Sequence, residues 1–136
     1  RPFISYLRIK KFSGLYVLPI EKPDEAIILD MIGDAELHIP IERNSYRQNR
    51  QLVKKLWSLA KGLSLDAFES RIVYTIYDDH VPLWTEAKIP AVDIIDFNYP
   101  NSNKNYWHTT QDLPENCSAE SLGQVGTLLV HYIYGR

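Results

Sequence analysis

Apolar residues gather into short runs separated by stretches with helical spacing. Residues 26–33 and 90–97 are nearly continuous apolar runs, which are typical of strands buried on both faces. A β-rich run at residues 71–77 and a short alternating segment at residues 36–40 predict two further strands, the second at a sheet edge. Strands that alternate with helices indicate an α/β fold with a mixed, largely parallel sheet.

Two segments repeat apolar residues at the three- and four-residue steps of amphipathic helices. The first begins at a cap formed by Asn44 or Ser45 and ends at Gly62. The second begins at Ser118 and runs nearly to the end of the chain, with one apolar face made of Leu122, Val125, Leu128, Leu129, Tyr132 and Ile133. We also expect a strand at residues 3–9, a helical turn at residues 81–87 and a polar loop at residues 98–105.

Composition narrows the functional classes. A length of 136 residues suits a single domain, and 45% hydrophobic with 24% charged residues is the globular average. The net charge of −2, without a basic run, argues against nucleic acid as a partner. The single cysteine, Cys117, excludes an internal disulfide and a thiolate zinc site within the chain. No apolar stretch reaches the roughly 20 residues of a membrane span, and the compartment stays unknown.

Acidic and imidazole side chains follow the predicted strands. Asp30 lies near the end of the first apolar run, where an ionised carboxylate requires a charge partner, hydrogen bonds or a metal. The group Asp78, Asp79 and His80, together with Asp96 and His108, also lies at or after strand ends, where open α/β sheets collect reactive groups. Oxygen and nitrogen donors without cysteine suit zinc.

A purely structural role explains the same residues as well as a zinc site does. Asp78, Asp79 and His80 can form a capped turn, and a backbone carbonyl can hold His108 in its loop. We interpret His38 and His131 as solvent-exposed side chains. The pattern alone therefore leaves a zinc site and a purely structural role as alternatives.

Four segments resemble the C-terminal half of the di-zinc aminopeptidase and glutaminyl cyclase family, in the family's order. They are LDMIG at residues 29–33, DDHVPL at 78–83, IPAVDIIDF at 89–97 and YWHTTQD at 106–112. The similarity covers residues 23–136, whereas residues 1–22 match poorly. It implies a three-layer α/β/α fold, of which this single-domain chain is the C-terminal portion.

The resemblance implies roles for individual residues. Asp30 resembles the acidic zinc ligand of the aminopeptidases and a proton-handling residue of the cyclases, while His108 resembles the family's last histidine ligand. Trp107 then lies on the substrate side. Asp78 resembles a residue of the hydrogen-bond network near the substrate in the cyclases, and Asp79 and His80 resemble the core of that turn. We therefore take Asp78, Asp79 and Trp107 as the candidate catalytic residues. The implied cofactor is zinc, as one or two ions, and the implied substrate is a peptide.

The chain departs from the family in three ways. Trp107 stands where some aminopeptidases have a tyrosine, which is cyclase-like, and Asp93 stands where the cyclases have a histidine. The family's first histidine ligand, bridging aspartate and Glu-Glu pair have no counterpart in residues 1–29. Because a catalytic zinc takes three protein ligands, we expect the chain by itself to be inactive.

Three hypotheses follow for the function. The first is a zinc-dependent exopeptidase, a metallopeptidase of aminopeptidase type that hydrolyses N-terminal peptide bonds. The second is a glutaminyl cyclase that forms N-terminal pyroglutamate. The third is a non-catalytic fragment or interaction module that pairs with a missing N-terminal half or with a partner chain.

Overall fold

The computed structural model describes residues 23–135, so the strand predicted at residues 3–9 lies outside the described part. The described residues form an α/β fold, as expected. In chain order its elements are β1 (Ala26–Asp30), β2 (Ile39–Ile41), α1 (Arg43–Gln48), α2 (Arg50–Gly62), β3 (Phe68–Ile72), α3 (His80–Thr85), β4 (Ala91–Ile95), β5 (Pro100–Asn101), β6 (Lys104–Asn105), a 3₁₀ turn (Pro114–Asn116) and α4 (Ala119–Tyr134). Among residues 23–135, no helix is both long and apolar enough to cross a bilayer.

The two apolar runs pair as parallel strands. β1 and β4 align in register from the Ala26 and Ala91 pair to the Asp30 and Ile95 pair. Parallel strands end at the same sheet edge, so Asp30 lies beside the end of β4. β2 pairs in parallel with β3, and the register breaks after Pro40, which has no N–H to donate. β5 and β6 form a small antiparallel hairpin within the predicted polar loop.

Of the two strands that were predicted to be buried on both faces, β1 and β4, only β4 is buried as predicted. Every residue of β4 is buried, whereas β1 is partly exposed and Leu29 retains 42% of its accessible surface. β1 also ends at Asp30 instead of Gly33. Met31 has a φ of 52°, which takes the chain out of the extended conformation.

The helix predicted to begin at Asn44 or Ser45 is two helices. Glu42 caps α1 by accepting the backbone N–H groups of Asn44 and Ser45, so the predicted cap residue was wrong. Asn49, at φ −142°, interrupts the helical path, and its side chain accepts the N–H of Leu52 to start α2. Both helices therefore begin at an acceptor side chain that satisfies free N–H groups.

The strand predicted at residues 71–77 is β3, which starts three residues earlier than expected and ends five residues earlier, at Ile72. Trp57 packs edge-to-face on Phe68 with ring centroids 5.7 Å apart, and its indole N–H donates to the carbonyl of Glu69. These contacts hold β3 against α2. The residues after β3 are not a strand and instead contact the start of α1. The Arg43 N–H donates to Tyr74 O at 2.8 Å, and Asn44 Nδ2 donates to Ile76 O at 2.8 Å.

The C-terminal helix begins where the sequence predicted. The Ser118 hydroxyl accepts the N–H of Ser121, which confirms the cap. Val125, Leu128 and Tyr132 are buried against the core, but Leu122 and Ile133 are exposed. The predicted apolar face is thus wider than the buried one. The core combines this helix with α2 and the strands: Leu37, Ile39, Ile41, Leu52, Val53, Leu56, Trp57, Ala60, Ala67, Val92, Ile94, Val125, Leu128 and Tyr132.

Candidate functional site

The end of β1 brings four of the predicted site residues into one electrostatic group. Burial raises the pKa of Asp30, the nearby carboxylates of Asp78 and Asp79 raise it further, and the Met31 N–H and His108 lower it. Asp30 therefore interacts with both acidic residues and with the histidine. We call Asp30, Asp78, Asp79, Trp107 and His108 the open cluster.

Trp107 and His108 form an aromatic stack at the rim of the open cluster. Their ring centroids lie 4.1 Å apart with an interplanar angle of 22°, and the Phe97 ring lies 5.4 Å from Trp107 on a tilted plane. Tyr74 extends the row by an edge contact with Phe97 at 5.9 Å. Trp107 nevertheless keeps 42% of its surface exposed. Its indole is held by ring contacts and remains accessible to a ligand.

The backbone on both sides of this cluster is strained. Met31, directly after Asp30, has φ 52°, and His108 has φ 58°. Residues other than glycine rarely adopt this left-handed backbone conformation, which costs roughly 1 kcal/mol or more per residue. Ser64 and Lys88, outside this cluster, have similar φ values of 56° and 55°, so the strain supports a functional site only together with the electrostatic grouping.

The turn at Asp78 and Asp79 is closed by backbone groups. Val81 N–H donates to Asp78 O at 2.9 Å, and Leu83 N–H donates to Asp79 O at 3.2 Å. Within residues 23–135, the Asp79 side chain makes no capping hydrogen bond to α3. Burial raises the pKa of Asp79, and the adjacent Asp78 adds to this effect. The carboxylates are therefore not needed to close the turn.

A second group of polar residues is completely buried behind the open cluster. Glu42, Ser45, His80 and Asp93 have no exposed surface, and we call them the buried cluster. His80 Nε2 lies 3.1 Å from Glu42 Oε2, and His80 Nδ1 lies 3.5 Å from Asp93 Oδ2. Neither contact has hydrogen-bond alignment, so we treat both as electrostatic contacts.

Glu42 is the best satisfied acid of the buried cluster. Its carboxylate accepts backbone N–H groups from Asn44 at 2.9 Å, Ser45 at 2.6 Å and Ile76 at 2.9 Å, and the Ser45 hydroxyl at 2.9 Å. Burial alone would raise its pKa, but His80 and the backbone donors together lower the pKa to about 2. Sequence reasoning missed Glu42. The available signal was a carboxylate between an apolar strand and a helix start.

Asp93 is the contrasting acid of the same cluster. Its backbone N–H donates to Ser45 Oγ at 3.0 Å, but its carboxyl oxygens have no hydrogen-bond partner among residues 23–135. Burial, followed by the charges of Asp78 and Asp30, raises the pKa of Asp93 to about 8. Asp93 thus links the buried and open clusters electrostatically.

Asp96 does not belong to the open cluster, although its place at a strand end suggested reactivity. It is completely buried, and its Oδ2 accepts the His38 N–H at 2.8 Å while Oδ1 accepts the Asn98 N–H at 2.9 Å. It ties two loops together. The His38 ring is exposed as expected and contacts Glu69 at 2.8 Å, and His131 is also exposed.

A cavity of about 230 Å³ opens beside Asp30 and Trp107. Sequence analysis did not identify several of its lining residues, which come from the turn after β1 and from the segment before α4. The full lining is Asp30, Met31, Gly33, Asp34, Tyr99, Trp107, Asp112 and Cys117. On its far wall, Tyr99 OH donates to Asp112 Oδ1 at 3.1 Å and accepts Asn116 Nδ2 at 2.9 Å.

The donor set fits part of a zinc site. Asp30 supplies an oxygen ligand and His108 a nitrogen ligand, both of types that zinc accepts. No cluster of three or more His, Cys, Asp or Glu residues in residues 23–135 has an arrangement that could hold a metal ion. Since zinc sites use at least three protein ligands, any zinc bound through Asp30 and His108 requires a ligand from outside these residues.

Comparison with known proteins supports the resemblance found in the sequence. A family model described as peptidase family M28 matches residues 16–133. The chain is similar to a glutaminyl cyclase of Porphyromonas gingivalis, with 26% identity and a TM-score of 0.84. It is also similar to a Zn-dependent exopeptidase of Parabacteroides distasonis, with 28% identity and a TM-score of 0.84, and to a glutaminyl cyclase of Tannerella forsythia, with 30% identity and a TM-score of 0.79.

The chain spans about half the length of these structures. The matches cover 94%, 94% and 88% of this chain but 48%, 45% and 42% of the respective structures. Among curated proteins, none matches the chain significantly.

Proposed function

The chain belongs to peptidase family M28, and from this premise we propose that it acts on the N-terminal residue of peptides at a zinc site to which Asp30 and His108 contribute. The electrostatic grouping of Asp30, Asp78, Asp79 and His108 at the end of β1 is the observation that supports this most directly. The ligands still required would come from sequence outside residues 23–135.

Each residue of the open cluster has a separate task in this proposal. Zinc, when bound, polarises the carbonyl of the reacting amide. Asp30 and His108 would hold the metal, Trp107 would form an apolar wall for the substrate, and Asp78 would keep a carboxylate near Asp30. Burial raises the pKa of Asp79, so its carboxyl group gives up a proton less readily than a solvent-exposed aspartic acid does.

Hydrolysis of the first peptide bond is our primary candidate reaction. It requires a general base that takes a proton from the attacking water, and the family resemblance places that base upstream of Asp30. The Zn-dependent exopeptidase of Parabacteroides distasonis provides a structural precedent on the same fold. The product would be a free N-terminal amino acid.

Glutaminyl cyclisation is the second candidate, and the aromatic stack favours it. Trp107 has an indole N–H but no hydroxyl with which to support a hydrolytic intermediate. Cyclisation needs no water, because the peptide's own amine attacks the side-chain amide. For this reaction the resemblance gives Asp30 a proton-handling role instead of a metal-binding one, and Asp30 would pass the proton of the attacking amine toward the departing ammonia.

A product assay with zinc separates these reactions. The protein, with any sequence that precedes Arg1 retained, would be incubated with Leu-leading and Gln-leading peptides. Free leucine supports the exopeptidase, and pyroglutamate with ammonia supports the cyclase. His108→Asn should abolish either product, while His131→Asn, a change on exposed α4 surface, should not.

If the same preparation binds zinc but forms neither product, the proposed activity is wrong. The third hypothesis, an interaction module, would then become the favoured one. The partly exposed strand β1 is the feature that would support it. Co-purification with an N-terminal family half, without turnover, is the outcome that this hypothesis expects.

A further inference from the structure

The cavity beside the open cluster contains a buried acid that the proposed reaction does not use. Asp34 retains only 5% of its surface, and it lines the same cavity as Asp30 and Trp107. Its Oδ1 accepts the Glu36 N–H at 3.3 Å, whereas its Oδ2 has no hydrogen-bond partner among the described residues. Buried polar atoms are nearly always partnered in native structures, so Asp34 Oδ2 lacks a donor.

Two other polar side chains of the lining, Tyr99 and Asp112, already have partners, one of which is Asn116 outside the lining. Tyr99 OH, Asp112 Oδ1 and Asn116 Nδ2 form a continuous chain of hydrogen bonds at 3.1 and 2.9 Å. Met31 and Trp107 add apolar surface to the cavity. A ligand side chain would therefore meet apolar walls, the Asp30 carboxylate and the Asp34 carboxyl oxygen that lacks a partner.

The surroundings of Asp34 are predominantly acidic. Asp34 also lines a second cavity, of about 320 Å³, together with Glu36 and Glu115, and Lys104 is the one basic residue in that lining. Burial raises the pKa of Asp34. A cationic ligand would stabilise the ionised carboxylate and supply the missing donor.

We propose that Asp34 is a specificity-determining residue that binds the positively charged side chain of the peptide residue next to the reacting one. The assignment rests on the proposed function, because that function places the reacting residue at Asp30. Asp34 lies in the same cavity, so a neighbouring Lys or Arg side chain could reach it. The apolar stem of that Lys or Arg side chain would pack against Met31 and Trp107.

Binding of peptide analogues tests this assignment independently of turnover. Leu-Lys, Leu-norleucine and Leu-Glu amides with a reduced first bond are resistant to hydrolysis and cannot cyclise. They would be titrated calorimetrically into the zinc-loaded protein with any upstream sequence retained. We expect the Lys analogue to bind about tenfold more tightly than the norleucine analogue, which lacks only the ammonium group.

Matched variants assign the preference to one carboxylate. Asp34→Asn should reduce the Lys-to-norleucine ratio to within about twofold. Asp66→Asn removes an exposed carboxylate elsewhere and should leave the ratio unchanged. Equal binding of the two analogues by the natural protein, or a ratio that survives in Asp34→Asn, would overturn the assignment.

Cys117 supplies a test that needs no variant. It is exposed and lines the same cavity, so the Lys analogue should slow its alkylation by iodoacetamide, as followed by peptide mass mapping. Unchanged alkylation at saturating analogue would place the binding site elsewhere. Turnover without a Lys preference would refute the Asp34 assignment alone, whereas a Lys preference without turnover would refute the proposed function alone.

Discussion

The buried cluster and the open cluster contain similar chemical groups but differ in how their polar atoms are partnered. In the buried cluster, the Glu42 carboxylate accepts four hydrogen bonds from the chain itself. In the open cluster, Asp30 interacts with other acids and with one exposed histidine. We attribute a stabilising role in the fold to the first arrangement, and we propose that the second binds a metal or a substrate. Similar residues therefore acquire different roles through burial and donor supply.

The two clusters should consequently respond differently to mutation. Removing a group from the buried cluster leaves uncompensated polar atoms where water cannot reach them, which lowers stability. Removing a group from the open cluster leaves no buried polar atom without a partner, so stability should change little. Four experiments, ordered from the largest expected effect to the smallest, test this difference.

Glu42→Ala should have the largest effect. The substitution leaves three backbone N–H groups and the Ser45 hydroxyl without their acceptor, so we expect the free energy of unfolding to fall by about 3–5 kcal/mol. Urea denaturation followed by tryptophan fluorescence measures this. Glu36→Ala, at an exposed position, should change it by less than about 0.5 kcal/mol. Equal effects of the two variants would contradict a stabilising role for the buried cluster.

Asp93→Asn should remove a pH dependence. Asp93 has a pKa of about 8 in the folded state and an ordinary value of 3.8, so between these values the folded chain binds one more proton than the unfolded chain. Its stabilising contribution is complete below pH 3.8 and is lost as pH rises toward 8, by up to about 1.4 kcal/mol per pH unit. The groups that face Asp93 are Asp78, Asp30, Glu42, Asp79 and His80.

Urea titrations from pH 5 to 8 measure this slope. Glu42 has the opposite sign, since its lowered pKa means that stability is lost only as pH falls from 4.5 toward 2, outside this range. The slope should flatten in Asp93→Asn and persist in Asp66→Asn. An unchanged slope in Asp93→Asn would show that Asp93 is ionised in the folded chain.

Gly33→Ala tests the packing that shapes the cavity of the open cluster. A Cβ at this position would lie 2.8 Å from Cys117 Sγ, so the Cys117 side chain would have to rotate or the segment before α4 would have to shift. We expect a loss of about 1–3 kcal/mol in thermal or urea unfolding. Adding Cys117→Ala should recover most of it. Gly123→Ala, with nothing within 4 Å, should be neutral or stabilising.

His108→Asn should have the smallest effect on stability and a large effect on zinc binding. His108 is exposed at φ 58°, a conformation that Asn tolerates, so we expect a stability change within about 0.5 kcal/mol. Zinc affinity of the protein with any upstream sequence retained should fall strongly by calorimetry. A large loss of stability with unchanged zinc affinity would reverse the roles that we assign to the two clusters.

Local pattern was sufficient for several elements of the fold. The apolar runs correctly predicted that β1 and β4 are strands, although β1 is shorter and less buried than expected, and Ser118 correctly predicted the start of α4. Strand formation and helix capping depend on short segments. Local pattern failed at α1. The side chains of Glu42, Asn44 and Ser45 can all accept N–H groups. Which of them caps the helix depends on where β2 ends.

Local sequence pattern also predicted only part of the candidate site. The motifs around Asp30, Asp78, Asp79 and His108 could be read along the chain, and the structure brings these residues into electrostatic contact. The lining residues Asp34, Tyr99 and Cys117 had no comparable signal. They meet only because Gly33 packs on Cys117 and the segment before α4 returns to the end of β1.

By itself, the sequence determined which residue types stand at strand ends and helix starts, and hence the α/β class and the motifs of the open cluster. Only the tertiary structure decided that Glu42 is a satisfied carboxylate, that Asp93 has a raised pKa, and that Asp34 lacks a donor. The physical reason is that a carboxyl group's charge and partners depend on its burial and on donors remote in sequence.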